Sequence, residues 1–175
     1  MEYIDIVDEN DNVIWMNTRK ESYNNQTTNR IVSVLIFNKN WELLLQKRAS
    51  TCSFLPWYWA LSAWWHVSSW QTYEEAWKME LSEELWIQTD LKYIWKFYWD
   101  RLVLNWDLNK IKKSHYFHEI IFEWIYDWFI NFDREDNDEV DEARFFTFEE
   151  IKKMIEKNTE LIMPNLIYVL RKFYF

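Results

Sequence analysis

Residues 64–87 read WWHVSSWQTYEEAWKMELSEELWI. A helix starts abruptly inside this stretch. Thr72 is followed three positions on by Glu75, the capping-box pair in which a hydroxyl and a carboxylate each take a backbone N–H that the first helical turn leaves unpaired. Nothing from Tyr73 to Leu85 interrupts a helix, and Tyr73, Trp77 and Leu81 recur one turn apart as a core-facing stripe. Glu80, Glu83 and Glu84 stand at i, i+3 and i+4, so they share one face within one turn. Like charges that close repel by a few tenths of a kcal/mol per pair even when exposed. One reading of the spacing is a solvated acidic face. The other is a seat for a divalent cation, which takes carboxylate, water and phosphate oxygens.

Outward from the helix, period-2 and β-branched runs predict strands on both sides. Residues 3–7 and 13–16 flank the turn DENDN as a hairpin. The polar segment 18–29 reads as a loop. Ile31–Phe37 is a nearly continuous apolar strand, turning at 38–41 into a returning strand at 42–47. Residues 49–71 read as a long loop holding short strands. After the helix come strands at 91–99 and 116–126, with a charged connection at 100–114 between them. An acidic loop follows at 133–142, then a short strand at Phe145–Phe146. A second capping box, Thr147 and Glu150, starts a helix to about residue 158, and Pro164 precedes a last helix ending near Phe173. This order predicts an α+β chain, a single domain over residues 1–175.

Composition adds one anomaly. The 175 residues include no glycine and 14 tryptophans, where an average domain is roughly 7% glycine. Several tryptophans stand where the chain should turn, in NKNWELLL, LPWYW and SAWWHVSSW. Glycine enters positive φ without a Cβ clash and tryptophan does not, so the pattern reads as a glycine-using fold with tryptophan in glycine positions. Trp64, Trp65, Trp70 and Trp86 are the expected points of greatest damage. The formal net charge of -9 argues against a nucleic-acid polymer as partner. A lone cysteine, Cys52, precludes an intrachain disulfide. No run approaches the ~18 apolar residues of a membrane span. These features predict a cytoplasmic protein with no membrane partner; a homodimer is compatible with them.

The stretch 64–87 resembles the signature of the Nudix hydrolases. That pattern places glycine, five residues, glutamate, seven residues, then Arg-Glu, an aliphatic residue, any residue, Glu-Glu, any residue, glycine and an aliphatic residue. Glu80, Leu81, Glu83, Glu84 and Ile87 match it in place; Trp65 and Trp86 stand at its glycines, Gln71 at its first glutamate and Met79 at its arginine. IDIVDENDNVI, FNKNWELLLQKR and LPWYW before this stretch, and EVDEARFF after it, are similar to the subgroup near isopentenyl-diphosphate isomerase. The resemblance implies an α/β/α sandwich with a central mixed sheet. It also implies hydrolysis of a small-molecule diphosphate linked to another moiety, of the nucleoside diphosphate type, with water as nucleophile. Mg²⁺ or Mn²⁺ would be held by Glu80, Glu83 and Glu84, which would also carry the catalysis.

Alternatives are an isomerase-like enzyme and a catalytically weakened binding module. The isomerase is disfavoured because Ala63 stands where its cysteine would lie in the loop before the helix, and Asn29, not histidine, precedes Arg30. Lys47 and Arg48, at a strand end, are candidates to meet substrate phosphate, Arg48 bidentately. Glu139 and Glu142 are weaker candidates for a distal base, and the lone His66 reads as structural or exposed rather than as a ligand.

Overall fold

The computed structural model describes residues 2–52, 55–82, 91–100, 116–126, 139–157 and 162–175. In chain order the elements are β1 (Tyr3–Val7), β2 (Val13–Thr18), α1 (Arg19–Asn25), β3 (Asn29–Asn38), β4 (Leu43–Arg48), β5 (Trp59–Ala60), β6 (Ala63–His66), α2 (Tyr73–Glu80), β7 (Lys92–Asp100), β8 (Tyr116–Tyr126), β9 (Val140–Phe146), α3 (Phe148–Lys157) and α4 (Pro164–Phe173). The fold is mixed α/β on a central sheet, in the α/β/α sandwich class that the sequence implies. Two compact units make it up, Met1–Ser33 with Trp64–Phe122, and Val34–Ala63 with Glu123–Phe175.

In the first unit β1 pairs antiparallel with β2, Tyr3 opposite Thr18, and with the start of β3, Ile6 opposite Asn29. The segment 18–29, read as a loop, instead contains α1. Thr18 accepts from the Glu21 backbone N–H while the Glu21 carboxylate takes the Thr18 N–H. This is the same capping box that announces the other helices. RKESYNN has no apolar stripe to mark a helix, and a cap can start a short helix without one. In α2 the Thr72–Glu75 box forms as expected. Ala76, Trp77 and Leu81 are buried, and full burial of a large apolar side chain stabilises by roughly 1.5–3 kcal/mol. Beyond Glu80 the helix widens into a π-type turn at Leu81 and Ser82. The rest of the predicted helix, with Glu83, Glu84 and Trp86, lies outside the described residues.

In the second unit Phe37 of β3 faces Leu43 of β4, and β4 runs antiparallel to β9 from Leu43 opposite Phe146 to Arg48 opposite Val140. Strand β9 is therefore longer than the Phe145–Phe146 pair; its first half is polar and half-exposed, which hid it in the acidic run. Ser62 ties β3 to β4, donating to the Leu44 carbonyl at 2.6 Å and accepting from the Ile36 N–H at 2.9 Å. Phe37, Phe148 and Tyr174 gather α3 and the end of α4 on the strand, with ring centroids 5.4–6.0 Å apart.

The missing glycines leave a visible trace here. The β3–β4 hairpin closes through Trp41 N–H donating to the Asn38 carbonyl at 3.0 Å, and Trp41 sits at φ 60°. A type I turn followed by one left-handed residue is where a hairpin asks for glycine. At 55–58 the Tyr58 N–H donates to the Leu55 carbonyl, with Pro56 second and Trp57 third at φ 70°. Proline then a positive-φ residue is the turn pattern that asks for glycine in third place. At three of the four tryptophans expected to do most damage the backbone does not call for glycine, and the fourth, Trp86, lies outside the described residues. Trp64 and Trp65 lie extended in β6, and Trp70 lies in a turn without positive φ. Among the described tryptophans, positive φ falls on Trp41 and Trp57.

Candidate functional site

Helix α2 is held at its N-terminal end by a charged clamp. Arg30 donates from Nε to Asp11 Oδ1 at 2.6 Å, from Nη2 to the Asp11 carbonyl at 2.8 Å and from Nη1 to Asp5 Oδ2 at 3.2 Å. Asp11 Oδ2 also receives Lys96 of β7 and, at 3.1 Å, the Tyr73 hydroxyl. Burial pushes the Asp11 carboxyl up, but hydrogen bonds and charge from Lys96 and Arg30 outweigh it and hold it below the usual carboxylate range. Asp5 goes the other way. Its desolvation exceeds the pull of Arg30, and the Asp11 charge adds to the rise. The Tyr73 phenol is raised chiefly by burial and then by the Asp11 charge. Asp11 itself sits at φ 66°, a region Asp tolerates better than most residues. Three distant segments thus converge on the first turn of α2, and no local sequence signal announces it.

At the other end of α2, Glu80 is half-buried in the last turn. Gln71 and Met79, the two departures from the signature outside the tryptophans, meet. Gln71 Nε2 donates to Met79 Sδ at 3.1 Å, while its Oε1 accepts from the Ser68 N–H at 3.3 Å. The loop before α2 is therefore closed onto the helix by an uncharged pair. Among the described residues no group of three or more His, Cys, Asp or Glu could hold a metal ion; Glu83 and Glu84 are not among those residues.

Lys47 and Arg48 belong to the second unit. Lys47 pairs with Asp141 at 3.6 Å and lies 5.6 Å from the Trp57 ring centroid. Its register partner on β9 is Glu142, which pairs with Arg144 at 3.2 Å. The Arg48 backbone is tied to 57–58, and the Glu139 carbonyl accepts from Ala49 N–H and Cys52 Sγ. The structure thus gathers Lys47 and Arg48 of β4 with Glu142 of β9, and Glu139 in the turn just before β9. His66 is buried, with Nε2 2.8 Å from the Tyr23 hydroxyl and Nδ1 3.1 Å from Asn29 Oδ1. Both ring nitrogens are engaged, which makes it a structural histidine.

A NUDIX domain model matches residues 27–166. The chain belongs to the Nudix superfamily. It is 37% identical over 86 residues to an uncharacterised Nudix hydrolase of Nostoc sp. (strain PCC 7120), covering 49% of this chain and 51% of that one. It is 32% identical over 130 residues to an uncharacterised Nudix hydrolase of Listeria monocytogenes, covering 71% and 66% respectively. The chain therefore spans about half the length of the first relative and just under two thirds of the second. A crystal structure from Deinococcus radiodurans superposes with a TM-score of 0.78 at 21% identity, covering 99% of this chain and all of that one, a likeness of fold. None of these Nudix comparisons singles out the isopentenyl-diphosphate isomerase-like subgroup.

Proposed function

We propose that this chain is a catalytically weakened Nudix domain, one that binds a diphosphate linked to another moiety and hydrolyses it slowly with Mg²⁺ or Mn²⁺. The contact between Gln71 and Met79 carries the reading. These side chains touch, so a glutamate and an arginine at the same positions would stand within ion-pair reach. Here neither is charged, and Met79 can neither donate a hydrogen bond nor pair with a carboxylate. The orienting charge that the family's arginine would offer the neighbouring glutamates is therefore absent at position 79.

The donor chemistry still suits a hard cation, since carboxylates at i, i+3 and i+4 match what Mg²⁺ takes. Glu80, Glu83 and Glu84 would hold it, and when bound it neutralises phosphate oxygens and acidifies a water. One of these glutamates, or a loop glutamate, would take the proton of the attacking water.

Metal-dependent phosphate release from a panel of dinucleotides and nucleoside diphosphates tests this, alongside the double variant Gln71→Glu/Met79→Arg. We expect slow turnover in the parent and a gain of about tenfold or more in the double variant, ~1.4 kcal/mol of barrier. A parent whose rate the double variant leaves unchanged would show that the neutral pair does not limit it. No diphosphate binding in either would end the reading.

A further inference from the structure

Helix α2 carries Glu80, and burial alone does not fix how the helix is turned about its own axis. Ala76, Trp77 and Leu81 are buried, which decides the inward face, but apolar burial is non-directional. Trp77 meets Phe122 of β8 ring against ring, with centroids 5.7 Å apart. The Thr72–Glu75 capping box joins residues of the helix start to one another and turns with it. The Gln71–Met79 contact ends on a thioether sulfur, a weak acceptor. Directional bonds from other elements arrive at Tyr73. Its hydroxyl donates to Asp11 Oδ2 at 3.1 Å. Arg30 and Lys96, both bonded to Asp11, lie over its ring at 5.6 and 5.2 Å. Tyr73 is thus held both at its hydroxyl and across its ring.

Asp11 can serve as a fixed post. The turn that carries it is knit by Asp8, whose Oδ1 accepts from the Asn10 and Asn12 N–H groups at 2.9 Å and whose carbonyl accepts from the Asp11 N–H at 3.0 Å. The Asp11 side chain is only 9% exposed, so water competes little for its bonds. Arg30 ties it to β3 and Lys96 ties it to β7. We propose that Asp11 and Tyr73 are positioning residues for the metal, setting the rotation of α2 and with it the direction of the Glu80 carboxylate. Tyr73 and Glu80 stand at i and i+7 in the helix, about 20° apart around its axis, so what holds one side chain aims the other. At a side-chain radius of ~5–6 Å a rotation of ~10° moves a ligand atom by about 1 Å. That is several times the ~0.2 Å tolerance of a metal–ligand distance. Position 79, where the family places an orienting arginine, is methionine. The clamp supplies charge-held orientation from the opposite end of the helix. The assignment rests on the carboxylate site proposed above and names the residues that set its affinity.

Calorimetric titration of the full chain with Mn²⁺ tests it, with thermal midpoints measured on the same samples before metal is added. Tyr73→Leu removes hydroxyl and ring, and Tyr73→Phe removes the hydroxyl alone. Tyr174→Leu and Tyr174→Phe are the matched controls in the second unit. There the hydroxyl donates to Glu123 at 2.9 Å and the ring packs on Phe37 and Phe148. We expect all four variants to melt below the parent. The Mn²⁺ dissociation constant should rise about tenfold in Tyr73→Leu and by a smaller factor in Tyr73→Phe, while the Tyr174 variants keep the parent value. A folded Tyr73→Leu that binds Mn²⁺ as the parent does overturns the assignment. An equal loss of affinity in the Tyr174 variants overturns it too, because the effect is then one of general stability. If Tyr73→Leu does not fold, Tyr73→Phe decides, and an affinity equal to the parent's overturns the assignment. A parent that binds no Mn²⁺ removes the carboxylate site and this assignment with it. A parent whose Mn²⁺ affinity is indifferent to position 73 removes this assignment and leaves the proposed function standing.

Discussion

Replacing Trp57 by glycine and, separately, by alanine isolates the backbone cost of the turn at 55–58. Both variants delete the indole, so the loss of its contact with Lys47 at 5.6 Å cancels between them. What remains is the Cβ at φ 70°. A residue with a Cβ in the left-handed region costs roughly 1–2 kcal/mol relative to glycine. Against this stands glycine's greater freedom in the unfolded chain, about 0.4–1 kcal/mol. Glycine should therefore exceed alanine by about 1 kcal/mol, or ~2–4 °C in Tm for a chain of this size. The same holds at Trp41, at φ 60°, whose ring packs on Phe37 at 5.4 Å. Trp70 is the control. It is 70% exposed and free of positive φ, so alanine should equal or exceed glycine there, as at ordinary positions. Differential scanning calorimetry of the six variants decides the matter. If alanine melts at or above glycine at both 41 and 57, these two turns carry no Cβ strain, and the glycine reading of the tryptophans loses its structural support.

Three further outcomes follow from the site and its supports. Thr72→Ala should destabilise the chain by about 1 kcal/mol through loss of the α2 cap, read from the urea midpoint, and a null result would place the start of the helix under tertiary control. Asp11→Asn should flatten the acid limb of stability. The Asp11 carboxyl titrates below its ordinary value of 3.8 when folded, so its contribution is complete above that value and is lost as pH falls through the folded one. Asp5, raised by burial, has the opposite sign and softens the decline; urea midpoints of parent and variant from about pH 6 to about pH 3 should converge toward the acid end. Glu83→Gln should weaken Mg²⁺ or Mn²⁺ binding and abolish hydrolysis; an unchanged calorimetric metal titration would remove the carboxylate site.

Legibility in the sequence followed the range of the interaction. The Thr72–Glu75 and Thr147–Glu150 boxes are contacts between residues three apart, and they announced α2 and α3 correctly. The Thr18–Glu21 box carried the same signal, but its seven-residue helix lacked the apolar stripe that made the others credible. Trp41 was legible as a hairpin turn because Asn38 and Asn40 flank it. LPWYW reads as a turn without showing which of its residues takes positive φ; the structure places Trp57 third in the turn closed by the Tyr58–Leu55 hydrogen bond. Trp64 and Trp65, in the run SAWWHVSSW that reads as a turn, are extended in β6.

By itself the sequence determined the spacing of Glu80, Glu83 and Glu84, the start of the helix that carries them, the apolar strands, and the family signature with its departures at Gln71 and Met79. These rest on helix and strand periodicity, which acts over a few residues. The tertiary structure decided which of the charged groups meet. Lys96 reaches Asp11 across 85 positions, Tyr73 reaches it across 62, and Asp141 comes to Lys47 through the β4–β9 ladder. It also decided that Gln71 and Met79 touch. Such contacts form only after long loops have closed and strands have found their register, and the entropy of closing a long loop leaves no mark on the residues at its ends.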